Sequence, residues 1–69
     1  MDKFKGKVLK QSLFDQALLV LDADGITEVY LLPGEREKGY RLVGKTVTFT
    51  GEDRGYKFDA ISWEVENDG

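Results

Sequence analysis

From Thr46 to Gly51 polar and apolar side chains alternate residue by residue, with Thr46, Thr48 and Thr50 on one side and Val47 and Phe49 on the other. A period of two built from β-branched and aromatic residues predicts a half-buried strand. Four more strands are predicted along the chain. Phe4 to Leu9 is the first, with Gly6 at its middle as a bend or bulge. Gln16 to Asp22 is the second, and its unbroken Ala17-Leu18-Leu19-Val20-Leu21 run predicts burial on both faces. Asp22-Ala23-Asp24-Gly25 reads as a tight hairpin, with Gly25 supplying a positive φ. Ile26 to Leu32 is the third strand and stops at Pro33-Gly34. Residues 34 to 44 are polar and glycine-punctuated; a short helix fits only around Glu35 to Lys38, and Gly39 works against it. After the fourth strand, Thr46 to Thr50, come a hairpin loop at Glu52-Asp53-Arg54-Gly55 and a longer fifth strand, Tyr56 to Glu66. The tail Asn67-Asp68-Gly69 is expected to fray. There is no internal repeat.

Residues 39 to 46, Gly-Tyr-Arg-Leu-Val-Gly-Lys-Thr, satisfy the phosphate-loop pattern G-x-x-x-x-G-K-[ST]. In that loop the Lys-Thr pair opens a helix whose N-terminal amides hold the phosphates. Here it opens the alternating strand instead. Nucleotide hydrolases of this type also need a parallel sheet and a second acidic strand, which 69 residues cannot supply. Gly39 and Gly44 are therefore read as relaxing a connection.

Five strands in so short a chain must bury their apolar rows and cover their edges, and closing into a barrel does both. Gly6-Lys7-Val8 in a bent first strand, Asp24-Gly25 between strands two and three, Tyr30-x-Leu32 on strand three and Gly44 to Gly51 around strand four together resemble the OB-fold. In particular, Gly44-Lys45-Thr46-Val47-Thr48-Phe49-Thr50-Gly51 looks like the fourth strand of many small bacterial OB-like proteins. The likeness spans nearly the whole chain and implies an all-β, five-stranded OB-like barrel in one domain, residues 1–69. The chain departs from that pattern between strands three and four, where many OB domains place a helix and these residues read as loop. An SH3-like barrel is the alternative.

A domain of this size buries only about 60% of the surface its unfolded chain exposes. With no cysteine and no histidine, the core must come from packing alone or be shared with a second copy. The lack of cysteine fits a reducing cytoplasm. Met1 to Lys10 carries four lysines and no apolar run, so no leader is expected. No stretch is long enough to cross a bilayer as a helix. The net charge is −3, and it is unevenly spread. Residues 1 to 14 carry four lysines against Asp2, while the rest carries six basic and twelve acidic residues. An acidic chain repels a phosphate backbone at long range.

Little here points to catalysis. Asp22-x-Asp24-Gly25 looks like the start of a calcium loop, but Ile26, Thr27 and Pro33 stand where a ligand, a glycine and a glutamate are required. The two aspartates are better explained as turn residues bonding their own backbone. Without histidine or cysteine, acid-base and nucleophilic roles would fall to carboxylates, lysines, tyrosines, Ser12 and Ser62. The pairs Glu35/Glu37 and Glu52/Asp53 sit in loops, where water keeps their pKa values ordinary. Glu64 and Glu66 share a strand face, opposite the lysine row or solvent. We therefore expect no enzyme, no cofactor and no metal.

Binding is the more informative case. The resemblance implies a ligand surface on the outer face of strands two and three and the adjoining loops. Base stacking wants exposed aromatics beside Arg or Lys. Tyr30 points outward if Val29 and Leu31 point in. Tyr40 and Arg41 lie in the crossing segment, and Arg54, Tyr56 and Lys57 at the last hairpin. Lys3, Lys5 and Lys7 share one face of strand one. If Ala17, Leu19 and Leu21 face inward, Leu18 and Val20 form an outer apolar patch beside Tyr30. Trp63, in phase with Ile61 and Val65, reads as a core anchor. The expected binding residues are thus Leu18, Val20, Tyr30, Lys5, Lys7, Tyr40, Arg41, Arg54 and Tyr56. The expected function is a non-enzymatic module that recognises a protein partner or single-stranded nucleic acid, without membrane or metal. The alternative is a structural homodimer whose outer patch is buried between copies.

Overall fold

The computed structural model describes residues 1–67; of the expected frayed tail, Asp68 and Gly69 lie outside the described residues. Five strands, β1 (Asp2–Gln11), β2 (Leu18–Asp22), β3 (Gly25–Tyr30), β4 (Thr46–Asp53) and β5 (Phe58–Asn67), form one sheet. It closes in a ring in the order β1-β2-β3-β5-β4. All neighbours are antiparallel except β3 and β5, which meet in parallel at Val29–Phe58 and Tyr30–Asp59. The fold is all-β, as expected. Long β1 closes the ring by serving both sides, its first half pairing with β4 and its second half with β2.

β4 behaves as its alternation requires. Val47 and Phe49 are fully buried, while Thr46, Thr48 and Thr50 are half-exposed on the outer side. No helix begins at Lys45, so the phosphate-loop geometry is absent. The inward residues of the other strands, Val8, Leu18, Val20, Val29, Phe58 and Ala60, meet these two with Leu31 just past β3 and Leu42, and Phe4 and Trp63 pack against the cluster. Each large side chain fully buried here contributes about 1.5–3 kcal/mol.

The structure corrects several expectations. First, β2 has the opposite phase to the one expected. Leu18 and Val20 are fully buried, Leu19 is half-exposed and Leu21 is 42% exposed. An all-apolar run carries no polar residue to fix its phase; neighbours fix it, because Val20 sits opposite buried Val8 and Leu18 opposite buried Val29. Second, the irregularity in β1 lies between Val8 and Lys10 rather than at Gly6. Gly6 is a close approach: a Cβ there would stand 2.6 Å from the Leu21 carbonyl oxygen and 2.7 Å from Val20 Cγ1. A second irregularity, opposite Thr50 and Gly51, switches the inward phase of β5. Phe58 and Ala60 point in before it and Trp63 after it. Ile61 and Val65, expected to share the core with Trp63, are 44% and 38% exposed.

Third, the connection between β3 and β4 is not loop. Residues Pro33–Leu42 form a 3₁₀ helix with proline at its start, where a missing N–H costs nothing. Gly39, read as a breaker, is buried against β1 and β2. Its Cβ would lie 2.8 Å from Gln11 Nε2 and 3.1 Å from Leu18 Cδ2. Glycine is what lets this helix press on the end of the sheet. Gly44, at φ +88°, then turns the chain into β4 and donates to the Val8 carbonyl at 2.8 Å.

Candidate functional site

The loop joining β1 to β2, residues 12–17, is short and tightly tied. The Asp15 carboxylate accepts from the Ala17 amide at 3.1 Å with one oxygen and from the Tyr30 hydroxyl at 2.7 Å with the other. Ser12 N–H donates to the Ala17 carbonyl, and Gln11 Nε2 donates both to Gln16 and, at 2.6 Å, to Arg36 on the 3₁₀ helix. Gln16 itself adopts a left-handed φ of 63°, an uncommon conformation for a side-chain-bearing residue. The outcome is that Leu13 and Phe14 stand out in solvent, 97% and 100% exposed. They line a shallow groove with Lys10, Leu19 and Glu28. Leu21 and Ile26, paired across β2 and β3 and both exposed, continue the apolar surface beyond it.

Leu13 and Phe14 were not among the sequence-derived candidates. Their signal was two bulky apolar residues in a segment that neither flanking strand claimed. Conversely, Leu18 and Val20, expected as outward contacts, are core residues and are unavailable to any partner. The outer face of β2 is carried by Leu19 and Leu21 instead.

Tyr30 does face outward, but both its ring and its hydroxyl are occupied. Lys57 Nζ stands 4.8 Å and Arg36 Cζ 5.4 Å from the ring centroid. Arg36 is itself held by its Nε bond to the Leu31 carbonyl at 2.9 Å. The hydrogen bond to Asp15 holds the phenol proton and pushes the Tyr30 pKa up to about 12. The same bond, with the Ala17 amide, holds the Asp15 carboxyl below its ordinary range. Tyr56, 77% exposed, shares Lys57 with Tyr30, the ammonium lying 5.7 Å from its ring. The structure thus brings Tyr30, Lys57 and Tyr56 together. Arg54, in the same hairpin, is engaged by Glu52 at 2.9 Å and Asp59 at 3.0 Å.

The remaining candidates lie apart. Tyr40 and Arg41 sit on the 3₁₀ helix and pair with each other, the guanidinium 5.8 Å from the ring; Arg41 lines a cleft beside Trp63. Lys3, Lys5 and Lys7 are exposed on the outer side of β1 as expected. Lys5 lies across from Thr48, which lies across from Glu64, so a threonine row separates the basic row from the acidic one. Asp22 caps its own hairpin by accepting from the Asp24 amide at 2.9 Å, the turn role expected of it. Among the described residues, no three carboxylates gather as a metal site, and no helix is long and apolar enough to cross a membrane. Comparison of the chain with family models, curated proteins and solved structures gives no match.

Proposed function

We propose that this chain is a non-enzymatic interaction module of OB-fold architecture that recognises a protein surface through the outer face of β2 and β3 and the β1–β2 loop. The ring order of the sheet and a helical segment between β3 and β4 support the OB reading. The observation that carries the function is the loop itself. Several hydrogen bonds order a turn whose effect is to hold Leu13 and Phe14 fully in water. Keeping two large apolar side chains solvated forgoes their burial energy, and an aromatic anchor on an ordered loop suits a partner's pocket. An apolar surface bordered by polar residues is the usual anatomy of a protein contact.

Single-stranded nucleic acid is the second reading, favoured by exposed Tyr56 beside Lys57. It is weaker because Tyr30 already has cations over its ring, Arg54 is neutralised by acids, and the chain is net negative. Two experiments separate these. Labelled single-stranded DNA and RNA, titrated at two salt concentrations, are expected to show no saturable binding; affinity that falls steeply with salt would favour nucleic acid. In parallel, the wild-type chain and the Leu13→Ser/Phe14→Ser double variant serve as immobilised baits. The reading expects proteins retained by the first and lost from the second, with equal thermal stability of the two baits. Identical behaviour of both baits sinks it.

A further inference from the structure

The register of the sheet gives the exposed face of β2 a property that singles out one partner. Lys10 on β1, Leu19 on β2 and Glu28 on β3 lie directly across from one another in a single row. All three line the groove beneath Leu13 and Phe14. An apolar residue is thus flanked at equal strand spacing, roughly 4.8 Å on each side, by a positive charge and a negative one. Such a row is complementary to itself.

We propose that the partner is a second copy of this chain, packed face to face about a two-fold axis running along β2 through Leu19. The inference rests on the interaction-module reading and names its occupant. A rotation about an axis along the strand exchanges left and right but keeps height, so Lys10 of one protomer meets Glu28 of its partner, twice, while Leu19 meets Leu19 between them. An axis running across the strands would instead set Lys10 on Lys10 and Glu28 on Glu28, and the like charges reject it. The chosen axis also keeps both β1–β2 loops at the same end of the interface, so that Leu13 and Phe14 of each copy come together over the groove. One row further, Lys7, Leu21 and Ile26 stand opposite each other in the same way, placing Leu21 beside the axis and Ile26 against the stem of the partner's Lys7. The result has an apolar centre and a charged rim.

Size is consistent with this. A standard interface buries about 800 Å² per partner. The protein exposes 4496 Å², so a dimer of that kind would cover roughly a fifth of it, a useful gain for a domain this small.

Charge reversal tests the axis. Sedimentation across a wide concentration range should show wild-type monomer passing to dimer. Lys10→Glu alone and Glu28→Lys alone should each weaken association by about tenfold or more, because each creates two like-charge pairs. Mixing equal amounts of these two variants should restore association, since every pair in the mixed dimer is then opposite in sign. Both substitutions are at exposed positions, and far-UV circular dichroism of each variant alone confirms that it is folded before mixing. A wild-type chain that stays monomeric at millimolar concentration overturns the proposal, while leaving the bait experiment free to identify another protein partner. A dimer indifferent to both reversals, or one the mixture fails to restore, overturns it equally.

Discussion

At the residue scale the decisive distinction is between Leu18 and Leu19, adjacent in sequence and identical in chemistry. Leu18 is sealed between Val29 and the helix at Gly39, and Leu19 lies on the outer groove. Leu18→Ala is therefore expected to cost about 2–5 kcal/mol through lost burial and a residual cavity. Leu19→Ala should cost well under half as much, as denaturant unfolding would show. Since total stability for 69 residues is on the order of 3–10 kcal/mol, the first change leaves a marginal protein. Equal losses would mean that Leu19 and not only Leu18 is core. Tyr30 offers a pH test. Folding raises its pKa from 10.0 to about 12, so the proton is held more tightly in the native state. That contribution is complete below pH 10, and it fades as pH rises through about 12. Asp15, whose pKa is lowered, contributes above the ordinary carboxylate range and loses its part as pH falls. Tyrosinate absorbance should contain a step near 12 that Asp15→Asn moves downward. A step unmoved by that substitution would deny the bond between loop and strand.

At the scale of elements, what could be read from the sequence was what repeats locally. The alternation in β4 and the hairpin signals at Asp22–Gly25 and Glu52–Gly55 fix five strands and two of their pairings; Asp22 turns its own backbone as expected, and Asp53 does the same at the second hairpin. What could not be read depends on neighbours. The phase of β2 is set by Val8 and Val29 across the sheet, and the phase of β5 is reset by an irregularity that no local pattern announces. The 3₁₀ helix was hidden because Gly39 lowers helix propensity, whereas its value lies in the absence of a side chain against Gln11 and Leu18. The site follows the same rule: the phase of β2 decides that Leu18 and Val20 are core, and the apolar side chains left to a partner are those of Leu13 and Phe14 in the loop. Gly6 provides the test at this level. Its α-hydrogen faces backbone of β2 that cannot yield without breaking the pairing, so Gly6→Ala is expected to destabilise by about 1–3 kcal/mol. Calorimetry showing an unchanged Tm would mean that β1 and β2 are less closely apposed.

For the molecule as a whole, the features separate around the ring. The β1–β4–β5 side carries lysine, threonine and acid rows, with Ile61 and Val65 partly exposed on β5. The β1–β2–β3 side carries the groove, the exposed aliphatic residues and the loop. Both the interaction reading and the two-fold pairing depend on one physical claim, that residues 12–17 keep Leu13 and Phe14 outward in a fixed posture, and not merely as a fluctuating segment. Backbone ¹⁵N relaxation measures this directly, best on the dilute monomer, where no partner can impose order. Order parameters for Leu13 to Gln16 close to those of β2, about 0.85, are expected. Values below about 0.6 at these positions, with β2 rigid, would mean that the loop does not hold Leu13 and Phe14 in a fixed posture.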